Sequence, residues 1–223
     1  MYVGRRMTRN PITATPETSH SEAMKLLREY RIRRLPILDD GKLVGIVVEK
    51  DLLSAQPSPA TTLSIYEIYS LLDQLTMKSI MAKPVYTVEE SCPLEEAARI
   101  MVEKKIGCLP VMRGEELVGI ITETDIFRAL VEILGDEEVG LAFSIRLEDK
   151  PGALAAVTQA IADAGGNIVS LVTFRGADSA TREIYIKERG ANREKLEQLI
   201  TDETQAELLE IGPVTRYEPR VFG

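Results

Sequence analysis

The segment Gly119-Ile120-Ile121-Thr122-Glu123-Thr124-Asp125 carries residue types suited to holding a sugar phosphate. An apolar run ends in a hydroxyl and, three residues on, a carboxylate, which is how a strand running into a helix start reads. Helix-start N–H groups lack intrahelical acceptors, and the positive end of the helix dipole faces an anion placed there. Thr122 adds a hydroxyl donor, and Asp125 has lone pairs enough to accept both hydroxyls of a ribose. The same spacing is also a capping signature, in which a threonine and an acidic residue three later tie down the first turn. From these residues alone, ligand and cap stand side by side.

Nothing comparable supports bond-making chemistry. His20, the sole histidine, lies between Ser19 and Ser21 at a predicted helix start, where it is expected to be exposed and inert. No nucleophile–base pair can be built on it, and the chain has no P-loop or dinucleotide fingerprint. Cys92 and Cys108 are too few and wrongly spaced for a metal site and read as reduced packing residues. No catalytic residue, metal or cofactor is therefore expected, and a ligand would be bound rather than transformed.

The chain has 223 residues, 44% of them apolar, enough for folded cores. A net charge of −8 counts against nonspecific nucleic-acid binding. Apolar stretches such as Leu117 to Ile121 fall far short of the ~18 residues needed to cross a bilayer. Met1 to Arg9 is basic without an apolar run behind it, unlike a secretory signal. Neither nucleic acid nor membrane is an expected partner, and a cytoplasmic location is expected.

The elements that must position the Thr122–Asp125 corner belong to a duplication. Leu35 to Asp51 aligns without gaps on Leu109 to Asp125, and 8 of the 17 positions are identical, among them Leu35/Leu109, Pro36/Pro110, Gly45/Gly119 and Asp51/Asp125. Average composition would give about one match. Each copy predicts a short strand (Ile12 to Thr15; Val85 to Val88), then a helix with apolar residues at helical spacing (Ala23, Met24, Leu27, Tyr30; Ala97, Met101, Val102). Ser19 with Glu22 suggests a capping box on the first helix. Strands over Leu35 to Leu38 and Leu43 to Val48 are joined by Asp39-Asp40-Gly41, a tight-turn sequence. A second helix is predicted from Glu49 or Glu123. One unit of roughly 50 residues buries too little to stand alone, so the two are expected to pack face to face. Gln56 to Thr62 reads as a linker, and Ile65, Ile68, Tyr69, Leu72 and Leu75 form the stripe of a bridging helix expected to cover the repeat core.

After acidic Asp136-Glu137-Glu138 the pattern changes. Leu141, Phe143, Ile145 and Leu147 alternate as a half-buried strand, and Asp149-Lys150-Pro151-Gly152 starts a helix that Gly165-Gly166 ends, with Leu154, Val157 and Ile161 as its buried face. Strands over Ile168 to Phe174 and Arg182 to Lys187, a helix around Arg193 to Ile200 and a strand near Glu207 to Tyr217 complete a β-α-β-β-α-β order.

The repeats, with their Leu-Pro-hydrophobic strand and G-x-x-T-x-x-D segment, resemble a CBS-domain pair (Bateman module) over about Met7 to Leu134. The D-K-P-G-x-L turn and Gly-Gly-Asn-Ile segment resemble an ACT domain over about Leu141 to Glu218. Together, at this length, they resemble acetoin utilization proteins of the AcuB type. The fold class implied is α+β, a CBS pair (β-α-β-β-α repeated) plus a ferredoxin-like ACT domain. Its expected boundaries are 1–60 and 80–135 for the repeats, 61–79 for linker and bridging helix, and 140–218 for the ACT part.

The resemblance implies an adenine nucleotide (AMP, ADP, ATP or another adenosyl compound) at Thr122 and Asp125. Gly119 is in that segment, and Thr13, Ile12, Val85, Tyr86 and Thr87 would lie on the strands along the adenine. In the first copy Val48 replaces the threonine while Asp51 remains, and Arg33 and Arg34 stand where the second copy has Gly107 and Cys108. Arginine suits bidentate phosphate recognition, though a solvated basic face reads equally well. In the ACT-like part Asp149 and Gly152, with Asn167 and Ile168 across the cleft, would hold an amino-acid carboxylate or serve only turn chemistry. A homodimer is expected by resemblance. Three functions follow: a sensor of nucleotide and amino acid, a ligand-free dimerisation scaffold docking onto an enzyme it regulates, and, by family association only, an enzyme of acetoin metabolism.

Overall fold

The computed structural model describes residues 1–56, 64–135, 139–176, 178, 180–214 and 218–221, together with the backbone but not the side chains of residues 65, 69 and 70. Most of the predicted linker, the acidic Asp136 to Glu138 boundary and Tyr217 lie outside these residues. The chain divides into two compact units, Met1–Phe127 and Arg128–Gly223.

Unit one is built from the duplication. In the first copy, helix α1 (His20–Glu29) leads to the hairpin β2 (Arg34–Asp39) and β3 (Lys42–Val48) and then to α2 (Glu49–Ser54). In the second, α5 (Leu94–Lys104), β5 (Cys108–Arg113), β6 (Glu116–Thr122) and α6 (Glu123–Ile133) follow in the same order, with the unit boundary falling inside α6 after Phe127. Between them come α3 (Ile65–Gln74) and α4 (Met77–Ile80). Asp40 and Gly41 both take positive φ (46° and 78°), the conformation a two-residue hairpin demands. Ser19 accepts from the Glu22 N–H, which caps α1. Leu27, Leu35, Ile37, Val47, Leu52 and Met77 make the first copy's core. Leu72 of the bridging helix is buried and Ile68 and Leu75 are half-buried, while Ile65 and Tyr69 have no described side chains.

The predicted strand over Ile12 to Thr15 reduces to one parallel bridge, Ala14 to Ile37, and the strand over Val85 to Val88 shortens to β4 (Val88–Glu89). The reason is a crossover. β1 (Thr8–Arg9) pairs antiparallel with Ile120 and Gly119 of the second copy before the chain reaches Ala14 in the first. Ala82 likewise pairs with Ile46 of the first copy before Val88 pairs parallel with Val111 of the second. Each copy's leading segment thus begins on the other copy's third strand and ends beside its own second one, so pairing on one strand is brief. The resulting sheets run β1-β6-β5-β4 and β2-β3.

The crossover explains Gly45 and Gly119. A Cβ on Gly45 would overlap the Met81 side chain, and one on Gly119 the Met7 sulfur and, at 3.0 Å, the Thr8 carbonyl oxygen. The duplicated glycines let the crossing strands and their methionines lie flat on the sheets.

Unit two is an antiparallel sheet of order β10-β7-β9-β8, built from β7 (Leu141–Glu148), β8 (Asn167–Arg175), β9 (Thr181–Arg189) and β10 (Glu207–Pro213). Helices α7 (Ala153–Asp163) and α8 (Arg193–Glu203) close a core of Phe143, Ile145, Ile186, Ile161, Leu196 and Ile200. Inward residues alternate along β7 as the pattern of Leu141 to Leu147 predicts. Among the described residues no helix is long and apolar enough to cross a membrane.

Gly119→Ala should lower stability by about 1–3 kcal/mol through overpacking. Met7→Ala made with it should return part of that loss, and strictly additive effects in denaturant unfolding would contradict the close approach.

Candidate functional site

The crossover brings each copy's strand-to-helix corner against the other copy's leading segment. A cavity of about 280 Å³ is walled by Ile46, Val48 and Asp51 of the first copy, by Ala82, Pro84, Val85 and Tyr86 of the crossing segment, and by Lys105, Ile106, Gly107, Cys108 and Pro110 of the second. Val85 and Tyr86 share this cavity with Asp51. Thr87 borders a wider groove with Lys42, Lys83 and Glu115.

The walls are mostly apolar, with one carboxylate among them, and concave sites of this kind hold small organic ligands. Cys108 is 6% exposed. Burial pushes its thiol up to about 11, against the pull of the Arg34 guanidinium, so it stays protonated at neutral pH. Lys105, at the end of α5, has φ 54°, and Arg31, its counterpart in the first copy, has φ 52°. A basic residue thus stands on a left-handed turn in both copies.

The second corner is related to the first by the repeat. Glu123 N–H donates to the Gly107 carbonyl at 3.2 Å, as Glu49 N–H does to the Arg33 carbonyl at 2.9 Å. Asn10 N–H donates to the Val118 carbonyl, fixing the segment before Ile12 and Thr13 on the second copy. By repeat offset alone, the counterparts of that wall are Ile120, Thr122 and Asp125 with Ile12, Arg31, Arg33 and Arg34. Arg34 is 3.8 Å from a Glu123 carboxylate oxygen and mostly covered, whereas Arg33 is exposed. Thr13 is half-buried beside Ala14. Gly119 lies under Met7.

Thr122 and Asp125 cap α6. The Asp125 carboxylate accepts from the Thr122 N–H at 2.9 Å and its hydroxyl at 2.7 Å, and the Asp125 N–H donates back to Thr122 at 3.4 Å. Asp51 accepts the Val48 N–H at 3.2 Å, but valine has no hydroxyl to return a bond. The capping reading of these residues is therefore realised in the structure, with both aspartates held at the corner by the cap.

His20 departs from expectation. It is 2% exposed, and its Nε2 lies 2.8 Å from the Leu52 carbonyl. A carbonyl only accepts, so Nε2 carries the proton. The ring ties α1 to α2, a tertiary contact that its serine neighbours did not announce.

In unit two the four expected ligand residues do not meet within one chain. Glu148 pairs with Thr181 at one end of the sheet, whereas Leu141 pairs with Glu188 and Asn167 with Arg189 at the other. Asp149 stands at Ala180 and Asn167 at Arg189, and nine strand residues at ~3.3 Å each put them roughly 30 Å apart. Asp149 accepts from Arg182 Nε at 2.8 Å, Gly152 is the N-cap of α7, and Ile168 packs against the core. Among the described residues no cluster of His, Cys, Asp and Glu is placed to hold a metal ion.

Val48→Thr should complete the first cap and raise stability by about 0.5–1 kcal/mol, while Thr122→Ala should lower it by about 1 kcal/mol. Equal midpoints in urea for either variant and the parent would contradict the capping geometry.

Comparison with known proteins agrees with this architecture. The CBS domain model matches residues 3–58 and 77–132, and the ACT domain model matches residues 142–204. A CBS domain-containing protein from Dictyostelium discoideum is 32% identical over 136 residues, covering 60% of this chain and 94% of that protein. An inosine-5'-monophosphate dehydrogenase from Korarchaeum cryptofilum is 37% identical over 120 residues, 53% of this chain but only 22% of the enzyme. A crystal structure from Vibrio cholerae assigned to an acetoin utilization protein (AcuB) is 36% identical with a TM-score of 0.50, covering 62% of this chain and 98% of that one. Both matched domains are regulatory modules. The crossed repeats and the four-stranded unit that follows them in sequence therefore make this chain a member of the CBS-domain family, with a tandem CBS pair followed by a C-terminal ACT domain.

Proposed function

We propose that the chain is a non-catalytic ligand sensor that binds an adenosine-containing ligand in the clefts of its CBS pair. The observation that carries this reading is the 280 Å³ cavity assembled from both copies, in which the Asp51 carboxylate stands among Ile46, Val85 and Tyr86. Apolar walls suit a purine face, backbone groups of the crossing segment suit its edge, and a fixed carboxylate suits a ribose diol. Because the wall comes from two copies, a ligand there favours one arrangement of the repeats, which is the requirement for a signal.

The ACT unit is assigned an amino acid or other small carboxylate at Asp149, Gly152, Asn167 and Ile168. The separation of these residues in one chain means that such a site needs two chains, with Asp149 and Gly152 of one facing Asn167 and Ile168 of another. A homodimer is accordingly part of the proposal, and coupling between its two kinds of site must be reciprocal. Control of acetoin metabolism or of a partner enzyme belongs to the same proposal and rests on the likeness to AcuB.

A second reading, a ligand-free dimerisation scaffold that docks onto an enzyme, is favoured by Val48, which leaves the first corner without the hydroxyl that Thr122 supplies at the second.

The sensor predicts that AMP or ATP raises the melting temperature, since a ligand at ~100 times its dissociation constant adds ~2.7 kcal/mol. Asp51→Asn with Asp125→Asn keeps a capping acceptor at both corners and should abolish the rise. A flat response of the parent protein across adenine nucleotides and adenosine would overturn the sensor and leave the scaffold.

A further inference from the structure

His20 and Leu94 hold one position in the two copies. Each is the first residue of its helix, α1 or α5, and each is buried. The His20 N–H donates to the Leu75 carbonyl at 2.8 Å and the Leu94 N–H to the Met1 carbonyl at 2.9 Å, and those acceptors are themselves repeat equivalents. Only the side chains differ. Leucine fills an apolar position without penalty, whereas the imidazole brings a buried Nδ1 that has no hydrogen-bond partner among the described residues. What histidine adds is the bond from Nε2 to the Leu52 carbonyl at 2.8 Å.

Helix length explains why one copy needs that bond. α2 stops at Ser54 after six residues, and its last turn leaves the Leu52 carbonyl without a donor from the helix, because the Ala55 N–H goes to Asp51 at 3.0 Å and the Gln56 N–H to Leu53 at 3.3 Å. In α6 the equivalent carbonyl, that of Ile126, lies inside a helix of eleven residues, where the next turn supplies its donor. Leucine therefore suffices at position 94, and a donor is required at position 20. α2 is also the helix whose first turn carries Asp51 to the 280 Å³ cavity. A helix far below ~12 residues holds its place by what it is tied to rather than by its own bonds. Resting on the adenosine reading above, we infer that His20 is a positioning residue of this cavity. Its Nε2–H stands in for the turn that α2 lacks and so fixes the Asp51 carboxylate at the wall. The imidazole is not part of that wall and acts only through Leu52, the chain neighbour of Asp51.

Calorimetric titration of the full chain carrying Asp125→Asn, with adenosine as the probe, isolates the cavity at Asp51. His20→Leu, which copies the second repeat, should weaken adenosine about tenfold, the factor that one hydrogen bond of ordinary strength carries. The ligand-free melting temperature should stay close to that of the parent, because the lost bond and the removed Nδ1 offset each other. His20→Gln, whose amide N–H reaches the place of Nε2, should restore the affinity. Hydrogen exchange gives a second readout without ligand: the Ala55 and Gln56 amides at the end of α2 should exchange faster in His20→Leu than in His20→Gln. Should His20→Leu not fold, His20→Met repeats the comparison, matching His20→Gln in length while donating nothing. Equal affinity and equal exchange with and without the donor would overturn the positioning role and leave the adenosine reading intact. Absence of adenosine binding by the parent would overturn the adenosine reading, and the exchange rates then decide separately whether His20 holds α2.

Discussion

The structure of unit one depends on two short antiparallel pairings, Thr8 with Ile120 and Ala82 with Ile46. Each fastens the start of one copy to the last strand of the other before the chain returns to its own hairpin. Without them each copy would be a hairpin and two helices with an uncovered face, too small to bury a stable core. With them, neither copy is complete alone, and the wall of the cavity at Asp51 is shared. The duplicated glycines at 45 and 119 and the methionines at 81 and 7 are the packing consequence, because the crossing segments need backbone-close approach.

A shared wall is also what the proposed sensor requires to convert binding into information. A ligand held by one compact copy would stabilise that copy alone. A ligand touching Asp51 and Tyr86 touches both, so its binding energy is coupled to their relative placement. Asp125 is fixed by the Thr122 N–H and hydroxyl and Asp51 by the Val48 N–H, so for the ribose contact proposed above little rotamer entropy would remain to be lost. Cap and ligand group are thus compatible roles for one carboxylate.

Much of this was legible from residues. The duplication named the hairpins through Leu35-Pro36 and Leu109-Pro110, and the alternation from Leu141 to Leu147 named a strand with one buried face. The leading strands were placed poorly because each pairs over only one or two residues, too short for a period of two to register. For the same reason the residues do not say which aspartate Val85 and Tyr86 accompany, and the crossover delivers them to Asp51. His20 was misread because its partner is a main-chain carbonyl 32 residues away, which no side-chain pattern records. Asp149 and Asn167 flank one helix in sequence, and the length of that helix is what carries them to opposite ends of the sheet.

The central claim, that an adenosine ligand lies across the two copies and is held by a corner aspartate, is tested most directly by a crystal structure of the chain grown with adenosine. The account predicts density for the base against Val85 and Tyr86 with both ribose hydroxyls on the Asp51 carboxylate. A nucleoside bound within a single copy, or turned so that neither Asp51 nor Asp125 reaches its ribose, would contradict it.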